Sequence, residues 1–320
     1  MQDISLDIIT KAENLPSDRG DNFFHSNTLF KIMCDVPRAM PFMVAATDAS
    51  GCVVARIIGI IRRSCLLVKH GHIYGEGVYE QDKDKGKLFM MMLGAATEMF
   101  KKHHCFYIEI SGISEKMFGY GSLRSMGYFP IRWIEIHNSL HSKSPARRLL
   151  PVRRKRILKA AAAGVRTYEV NDDETFKRFF SMLKHYYTSK IHRFSPDVNE
   201  IYSVGRSKYG KIYVTKYKNK IIGGCVCINS GGNTYLWHMA AKRKTFSTLF
   251  PTSQMIWHAL RDAHQNNMRH FHFMDVGIPF GKTIMRDFIL SFGGRPVSSY
   301  RWFRCSVPFV NTLFSKLFSS

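Results

Sequence analysis

The chain has 320 residues, of which 45 % are apolar and 22 % are charged, and its formal net charge is +23. This composition is typical of a globular protein of about two domains, and it excludes a fully disordered chain. The sequence contains neither the roughly 20 consecutive apolar residues of a membrane-spanning helix nor a secretory signal. The seven cysteines are scattered through apolar runs, so we expect reduced thiols in a cytoplasmic protein rather than a disulfide framework.

The basic residues are concentrated in three clusters, which lie at 147–159, 206–220 and 242–244. A single cluster of this kind is either a solvated basic face or part of a binding surface. Three clusters in one half of the chain favour a surface for an anionic partner. Nucleic acid, a phosphorylated substrate and a negatively charged membrane are all candidates for that partner.

The first half of the chain predicts strands that surround one long helix. Two β-rich runs between residues 40 and 63 flank a turn at 48–51, and a further strand follows at 73–77. Apolar residues recur at a spacing of three and four from residue 85 to 103, which predicts a helix. The remaining elements of this half are an apolar strand at 105–111, a short helix at 118–126 and a last strand from residue 128.

The second half repeats this order at a near-constant displacement along the chain. Its elements are a strand pair at 211–232, a strand at 235–239, a helix at 252–266, a strand at 270–276, a short helix at 282–292 and a strand at 295–305. A displacement that stays constant through strands, helices and turns indicates two copies of one unit. We therefore predict an α+β fold with a mixed sheet, built from two tandem copies of a β-β-α-β-α-β unit that pack together.

Two helices are predicted between the copies. The first, at 146–163, is rich in Arg and Ala and ends at Gly164, and the second, at 171–191, has acidic residues at its N-terminus. The predicted domains are an N-terminal unit at 1–143, a C-terminal unit at 144–305 that begins with this basic helix pair, and an amphipathic C-terminal helix at 306–320. The apolar stripe of that last helix either packs on the body of the protein or dips into a membrane surface.

Four short stretches of the second half carry a resemblance to a known family. They are the basic helix at 153–165, the strand pair at 213–228, the sequence Met274-Asp275-Val276-Gly277, and the segment 288–294 that ends in Phe-Gly-Gly. Their order and spacing resemble the Fem-type (FemAB-like) branch of the GNAT acyltransferase superfamily, in which a tandem repeat is itself a feature. The resemblance implies two tandem GNAT-like units and an N-acyltransferase or aminoacyltransferase activity.

The acyl donor stays open, because the sequence departs from the acetyltransferase pattern. Ordinary GNAT enzymes hold the pyrophosphate of CoA with a glycine-rich loop before the central helix, and neither 82–87 nor 242–251 has those glycines. The donor is therefore either acyl-CoA or aminoacyl-tRNA.

Basic side chains could replace the missing loop. Lys242, Arg243 and Lys244 could hold donor phosphates, and Arg286 could contact an acceptor phosphate. Arg153, Arg154 and Arg156 are interpreted as an anion-binding surface for tRNA or lipid head groups.

Three residues are candidates for catalysis, each with a structural alternative. Asp275 ends an apolar strand and could orient the acceptor amine and take its proton, or it could cap the next turn. His238 could act as a base or could be an ordinary histidine of an aromatic strand. Glu109 lies in an apolar run, where a carboxylate is costly unless it is paired or faces a cleft. No metal site is predicted, because the Cys225-x-Cys227 pair has no second pair or histidine cluster near it in sequence.

The leading hypothesis is an acyl or aminoacyl transfer to an amine of an anionic acceptor related to the cell envelope, such as a peptidoglycan precursor or an amino-lipid. The alternative is a catalytically inactive GNAT-fold module that binds nucleic acid or an anionic surface, which the missing loop and the charge of +23 both favour. We expect a cytoplasmic protein whose residues 307–320 could contact the inner face of a membrane. The sequence leaves the oligomeric state open.

Overall fold

A computed structural model of the chain describes residues 4–18, 20–63, 68–80, 83–141, 143–188, 196–280 and 283–318, without the side chain of Asp275. The chain divides into two compact units. The first unit consists of Met1–Trp133 and Ser298–Ser320, and the second unit is Ile134–Val297.

The strands and helices follow one another in nearly the same order in both units. The strands are β1 (Ser5–Ile9), β2 (Ala39–Thr47), β3 (Val53–Arg63), β4 (Lys69–Tyr74), β5 (Val78–Tyr79), β6 (Cys105–Ser111), β7 (Phe129–Ser139), β8 (Arg166–Glu169), β9 (Gly210–Tyr217), β10 (Lys220–Ser230), β11 (Asn233–Ala241), β12 (His270–Gly277) and β13 (Arg295–Cys305). The helices are α1 (Asn27–Cys34), α2 (Lys85–Lys102), α3 (Tyr120–Ser125), α4 (Pro145–Arg148), α5 (Pro151–Ala162), α6 (Asp173–Thr188), α7 (Val198–Arg206), α8 (Pro251–Gln265), α9 (Ile284–Leu290) and α10 (Pro308–Phe318).

The first unit is a mixed sheet in the order β1-β2-β3-β4-β6-β13, with β5 beside β3. The pairing is antiparallel except between β4 and β6, which are parallel because α2 carries the chain back across the sheet. The apolar face of α2 buries Leu88, Met92 and Phe100 in the core of this unit. Gly59 and Gly71 make room for the ring of Phe100, since a Cβ at either position would collide with it.

The second unit repeats this arrangement in the order β7-β12-β11-β10-β9-β8. Its parallel pair is β11 and β12, which α8 connects, and the other neighbours are antiparallel. Helices cover both faces of the sheet. A Cβ at Gly223 would approach Pro251 of α8, whereas a Cβ at the next residue, Gly224, would collide with Phe179 of α6. Successive residues of a strand point to opposite faces, so α6 and α8 lie on opposite sides.

The predicted fold class and the tandem repeat are confirmed. One predicted helix is divided, because Pro151 begins a new helix in the middle of the basic segment at 146–163. The sequence analysis also missed β1, β5, β8, α1 and α7, which are short, and the strand predicted at 73–77 is observed as β4 at Lys69–Tyr74. The compact units differ from the predicted boundary at residue 143. The end of β7 pairs with β12 of the second unit, and the end of β13 pairs with β6 of the first, so strand pairing rather than sequence repeat sets the division.

Candidate functional site

The parallel strands β11 and β12 separate part of the way along their length. They pair from Asn233–His270 to Leu236–Phe273, and within the described backbone they form no further pair, although β11 continues to Ala241 and β12 to Gly277. Backbone groups along diverging strands lose the neighbour that a closed ladder would give them. We infer that this separation opens a cleft at the carboxyl ends of the strands, which is where α/β sheets place their ligands. We call this feature the fork.

A β-bulge lies on the β11 side of the fork. Val226 of β10 pairs with His238, but the next residue, Cys227, pairs with Leu236, so the ladder skips Trp237. A bulge of this kind bends the strand and changes the direction of the side chains after it. It explains why β11 turns away from β12 immediately after Leu236.

The bulge places His238 against the end of α6. Its Nδ1 shares a hydrogen bond of 3.0 Å with the hydroxyl of Tyr187, which is buried, and its ring contacts Trp237 at 4.6 Å between centroids. The hydroxyl fixes the orientation of the imidazole, which is half-buried on the separated part of β11. A histidine held in this way can exchange a proton with a group bound in the fork.

The N-terminus of α8 follows the same strand. No side chain caps it, because the preceding residue is Phe250, which has φ +45°, and Pro251 occupies the first helical position. The hydroxyl of Thr252 in the first turn is buried, and it has no hydrogen-bond partner within the described residues. Pro251 has no N–H group, and the amides of Ser253 and Gln254 donate to the carbonyl of Phe250 at 3.0 Å and 3.2 Å. The positive end of the helix dipole is therefore what makes this helix start favourable for an anion.

Two groups of cations belong to this region. Lys242, Arg243 and Lys244 are exposed in the segment that joins β11 to α8, and Arg243 donates a hydrogen bond of 3.4 Å to the hydroxyl of Tyr186 on α6. From α5, the guanidinium of Arg156 and the amine of Lys159 lie 5.5 Å and 6.0 Å from the ring centre of Phe250.

We call these five cations (Arg156, Lys159, Lys242, Arg243 and Lys244) the cationic rim. Within the part of the chain that the structure describes, none of them pairs with a carboxylate. The rim therefore adds an unneutralised positive field to the N-terminal end of α8. This combination could hold phosphates without a glycine-rich loop.

The position of Arg153 contradicts one prediction made from the sequence. It was assigned to an anion-binding surface with Arg154 and Arg156, but it is only 3 % exposed, because it shares the inward face of α5 with Ile157 and Ala160. Its Nε donates to Ser291 Oγ at 2.8 Å and its Nη1 to Ser253 Oγ at 2.5 Å.

The guanidinium of Arg153 also lies over the rings of Phe288 and Phe292, at 4.1 Å and 4.9 Å from their centres. Burial, and then the charge of Arg156, lowers its pKa to about 10. Arg153 is a structural link between α5, α8 and the end of α9. Arg154 and Arg156 are exposed on the outer side of α5, as a surface role requires.

The other predicted residues fall in three different places. Glu109 belongs to the first unit, where it pairs with Arg301 at 3.1 Å, and the guanidinium of Arg301 covers Trp133. This ion pair accounts for a carboxylate in an apolar strand.

Arg286 donates to the carbonyl oxygens of Ile278 and Pro279 at 2.5 Å and 3.4 Å, so it stabilises the loop after β12. Asp275 lies in the separated part of β12, and its side chain is outside the described residues.

Sequence reasoning missed several residues of this region. Tyr187 carries no motif, and its contact with His238 depends on how α6 packs on the sheet. Thr252 was counted only as the first residue of its helix, and Lys159 only as the last residue of the basic cluster at 147–159. A third omission is a cluster of Glu135, His137 and His272, which strand pairing brings together from distant parts of the chain.

Comparisons with known proteins agree with this geometry. Residues 147–280, less than half of the chain, match the family model of the acetyltransferase (GNAT) domain. The structure of FemX superposes with a TM-score of 0.67 at 10 % identity, over 95 % of this chain and 96 % of that chain. The C-terminal domain of a putative lysylphosphatidylglycerol synthetase from Agrobacterium fabrum gives 0.61 at 11 % identity, over 94 % of this chain and 92 % of that chain.

A tandem GNAT protein from the clavulanic acid biosynthesis pathway gives a TM-score of 0.59 at 12 % identity, over 95 % of this chain and 99 % of that chain. No curated protein matches the sequence. At these identities the structural matches establish the fold. The chain therefore has a tandem GNAT fold, as the sequence resemblance implied, and its second unit contains the region that matches the GNAT domain model.

Proposed function

We propose that the second unit transfers an acyl or aminoacyl group from a phosphate-bearing donor to an amine. The observation that carries the proposal is the fork between β11 and β12, which opens beside the uncapped and positively charged start of α8. Both features lie within the residues that match the GNAT domain model. A donor with its phosphates at the cationic rim could extend its acyl end into the fork.

The reaction requires one bond to form and one to break at the acyl carbon. The neutral acceptor amine attacks this carbon, and the bond to the sulfur of CoA or to the ribose oxygen of tRNA breaks. The nitrogen loses a proton, and the leaving group takes one up. His238, oriented by Tyr187, is our candidate for the proton transfer, and Asp275 on the facing strand is our candidate for orienting the ammonium.

The donor in this proposal is either acyl-CoA or aminoacyl-tRNA, because both carry phosphates that suit the rim. For the acceptor we propose an amine on an anionic, envelope-related molecule, either a peptidoglycan precursor or an amino-lipid. The net charge of +23 supports an anionic acceptor. The name of one structural neighbour, a putative lysylphosphatidylglycerol synthetase, supports the lipid as one of the two.

A thermal-shift titration tests the donor. The purified chain is titrated with CoA, with acyl-CoAs of increasing chain length and with aminoacyl-tRNA beside the uncharged tRNA. A ligand that binds only the folded state raises Tm in proportion to the logarithm of its concentration. We expect Tm to rise with the concentration of one donor class, and to rise more with the acylated form than with the free carrier.

A pair of matched variants locates that donor. Lys242→Ala with Lys244→Ala removes two charges of the cationic rim, and Lys177→Ala with Lys184→Ala removes two exposed charges of α6. We expect the first pair to weaken donor binding about tenfold and the second to leave it unchanged, since partly exposed charge contacts contribute about 0.2–1 kcal/mol each. Equal effects of the two pairs would refute the proposed donor site.

The alternative function is an inactive GNAT-fold module that binds nucleic acid or an anionic surface. The exposed basic side of α5, with Arg154 and Arg156, is the observation that favours it. It predicts no acyl product with any donor, together with binding to RNA or DNA that weakens steeply as salt increases. Formation of a defined acylated product would exclude this alternative.

We also propose that α10 contacts a membrane surface that carries anionic lipids. Phe309 is 76 % exposed and Leu317 is 60 % exposed, although Asn311 of the same helix is anchored to Cys305 and Gly127 by hydrogen bonds of 2.8 Å and 2.9 Å. The helix is therefore held in place while it presents apolar side chains to solvent. No helix within the described ranges is long and apolar enough to span a bilayer, so the contact we propose is interfacial.

Co-sedimentation with vesicles tests this contact. Phe309→Glu and Thr312→Glu add the same charge to α10, but only the first removes an exposed apolar side chain. We expect Phe309→Glu to abolish binding to vesicles with anionic lipids and Thr312→Glu to retain most of it. Identical binding of both variants and the parent chain would contradict the proposal.

A further inference from the structure

The polar face of the second unit carries a cluster of metal-ligating side chains. Glu135 and His137 are two residues apart on β7, so they point to the same side of the sheet, and His137 pairs directly with His272 of β12. Ile136 lies between Glu135 and His137, and Phe273 follows His272; both are buried in the same core as α8, on the opposite side of the sheet. The cluster therefore lies on the sheet face away from the core that α8 covers.

The three side chains are already close enough to share one ion. One donor atom from each of Glu135, His137 and His272 lies within 4.8 Å of the others. The Nε2 of His137 is 3.0 Å from Oε2 of Glu135, and the ring centres of His137 and His272 are 4.0 Å apart. Ligands at about 2.1 Å from a tetrahedral ion are roughly 3.4 Å from each other, so small side-chain rotations suffice.

His272 supplies an independent reason to expect a ligand. Its ring stacks on Tyr235 at 4.6 Å between centroids, and its Nε2 is buried without a hydrogen-bond partner within the described residues. Leaving a buried polar nitrogen unsatisfied is costly. A metal ion at Nε2 would remove that cost.

The backbone around the cluster also suits a cross-link. The ladder between β7 and β12 is irregular between Phe273 and Gly277, which pair with Ile136 and Ile134 respectively. Glu135 lies between those two partners, at the interruption. An ion held by Glu135 and His272 would join the two strands where their hydrogen bonds are interrupted.

We propose that Glu135, His137 and His272 bind a divalent transition metal ion of the zinc class. Two imidazole nitrogens and one carboxylate oxygen form a donor set that suits Zn²⁺, and three protein ligands leave a fourth position for water. A cavity of about 320 Å³ borders the cluster and is lined by His137, Ser139, Arg148 and His270 among others. That cavity gives the water access, and His270, whose Nδ1 is 3.3 Å from Asn233 Oδ1, lies at its edge.

This site goes beyond the proposed transfer reaction and does not depend on it. The donor site of that reaction is the fork and the start of α8, whereas His272 of the cluster pairs with Tyr235, before β11 and β12 separate. Failure of donor binding would leave the metal site untouched, and the reverse also holds.

The test is a titration of the full chain with ZnCl₂ after treatment with a chelator, followed by calorimetry. We expect one equivalent of Zn²⁺ to bind and Tm to rise with its concentration. Titration with Co²⁺ should give the intense visible absorption of a tetrahedral site. The first variants are Glu135→Gln and His137→Asn, because the side chains of both residues are about a quarter exposed and each replacement keeps a polar side chain.

Each variant should weaken Zn²⁺ binding at least about 100-fold, since losing even a residue that only hydrogen-bonds to a metal ligand costs about 10–100-fold in affinity. His272→Gln should have the same effect, and its folding is checked by circular dichroism. The matched control is His185→Asn, which removes an exposed histidine of α6 outside the cluster. Failure of the parent chain to bind Zn²⁺ or Co²⁺ would overturn the proposal, as would a His185→Asn variant that loses as much affinity as His137→Asn.

Discussion

The two units contain equivalent pairs of parallel strands, and only one pair opens. In the first unit β4 and β6 pair from Lys69–Cys105 to Tyr74–Ser111, and the amide of Gly75 extends the contact with a hydrogen bond of 2.7 Å to the carbonyl of Ser111. In the second unit the pairing of β11 and β12 stops at Leu236–Phe273, before either strand ends. The same topology therefore gives a closed ladder in one copy and a cleft in the other.

The helices α2 and α8, which follow β4 and β11 along the chain, also differ: the N-terminus of α2 is capped and that of α8 is not. Asp84 caps α2, and its carboxylate accepts a hydrogen bond of 3.0 Å from the amide of Lys87. No side chain caps α8, and the cationic rim lies beside its start. A carboxylate at the helix end satisfies an N–H group and repels a phosphate, whereas an uncapped end beside cations attracts one. Two copies of one topology therefore differ at the same point of the fold. One copy has a closed ladder and a capped helix, and the other has separated strands and an uncapped helix.

The largest expected effect separates Asp275 from Glu109, the acidic candidates of the two units. If the second unit is the active one, Asp275→Asn should lower kcat about 100-fold or more, because it removes a group that positions the amine or accepts its proton. Glu109→Gln should leave kcat unchanged, since Glu109 is held by Arg301. The measurement is steady-state turnover with the donor identified by thermal shift. The opposite pattern would move the active site to the first unit.

The second prediction compares two neighbours on α5. Arg153→Ala should lower the free energy of unfolding by about 2–4 kcal/mol, because it leaves the hydroxyls of Ser253 and Ser291 without their buried donor and removes the cation over Phe288. Arg154→Ala, at an exposed position, should change it by less than about 0.5 kcal/mol. Urea denaturation of both variants gives the answer. A similar loss in both would mean that Arg153 is not a structural link.

The third prediction concerns acid stability and the buried His25 of the first unit. Burial, and then the charge of Arg56, lowers the pKa of His25 to about 3, and its Nδ1 accepts a hydrogen bond of 3.0 Å from the amide of Ile58. The unfolded chain takes up a proton near pH 6.5 and the folded chain does not, so this histidine's contribution to stability is complete above pH 6.5. It is lost as the pH falls from 6.5 towards 3, by up to about 1.4 kcal/mol per pH unit.

His25→Asn keeps an acceptor near the Nδ1 position but cannot be protonated. Its free energy of unfolding should therefore decrease less steeply between pH 6.5 and 4.5 than that of the parent chain, whatever the variant's stability at pH 7. Denaturation curves at closely spaced pH values measure the slope. An unchanged slope would show that His25 is already protonated in the folded protein.

The sequence was sufficient for most of the fold because local patterns specify it. The strands at 105–111 and 295–305 were predicted with their observed bounds, and the helix predicted at 85–103 ends one residue earlier. The strand at 105–111 is an apolar run and the helix is a periodic one. The strand at 295–305 is neither, and its position in the repeat after Gly293 and Gly294 identified it. The division of the basic helix at Pro151 was readable as well, since proline favours the first position of a helix.

The site was less predictable because its parts meet only through tertiary structure. Arg153 looked like its neighbours, although its spacing of four and seven from Ile157 and Ala160 places it on the buried face. The pairing of His137 with His272 depends on a strand register between distant segments, which no local pattern encodes. The fork itself depends on a bulge at Trp237, and an extra residue in one strand has no sequence signature of its own.

The smallest effect tests the other half of the comparison, the capped start of α2. Asp84→Ala removes the side chain that accepts the hydrogen bond from Lys87, so the free energy of unfolding should fall by about 1 kcal/mol. It should leave donor affinity unchanged, because we assign donor binding to α8. Thermal denaturation and the donor titration are made on the same preparation. A donor affinity that rises when this carboxylate is removed would place a phosphate at α2, and the first unit would then share in donor binding.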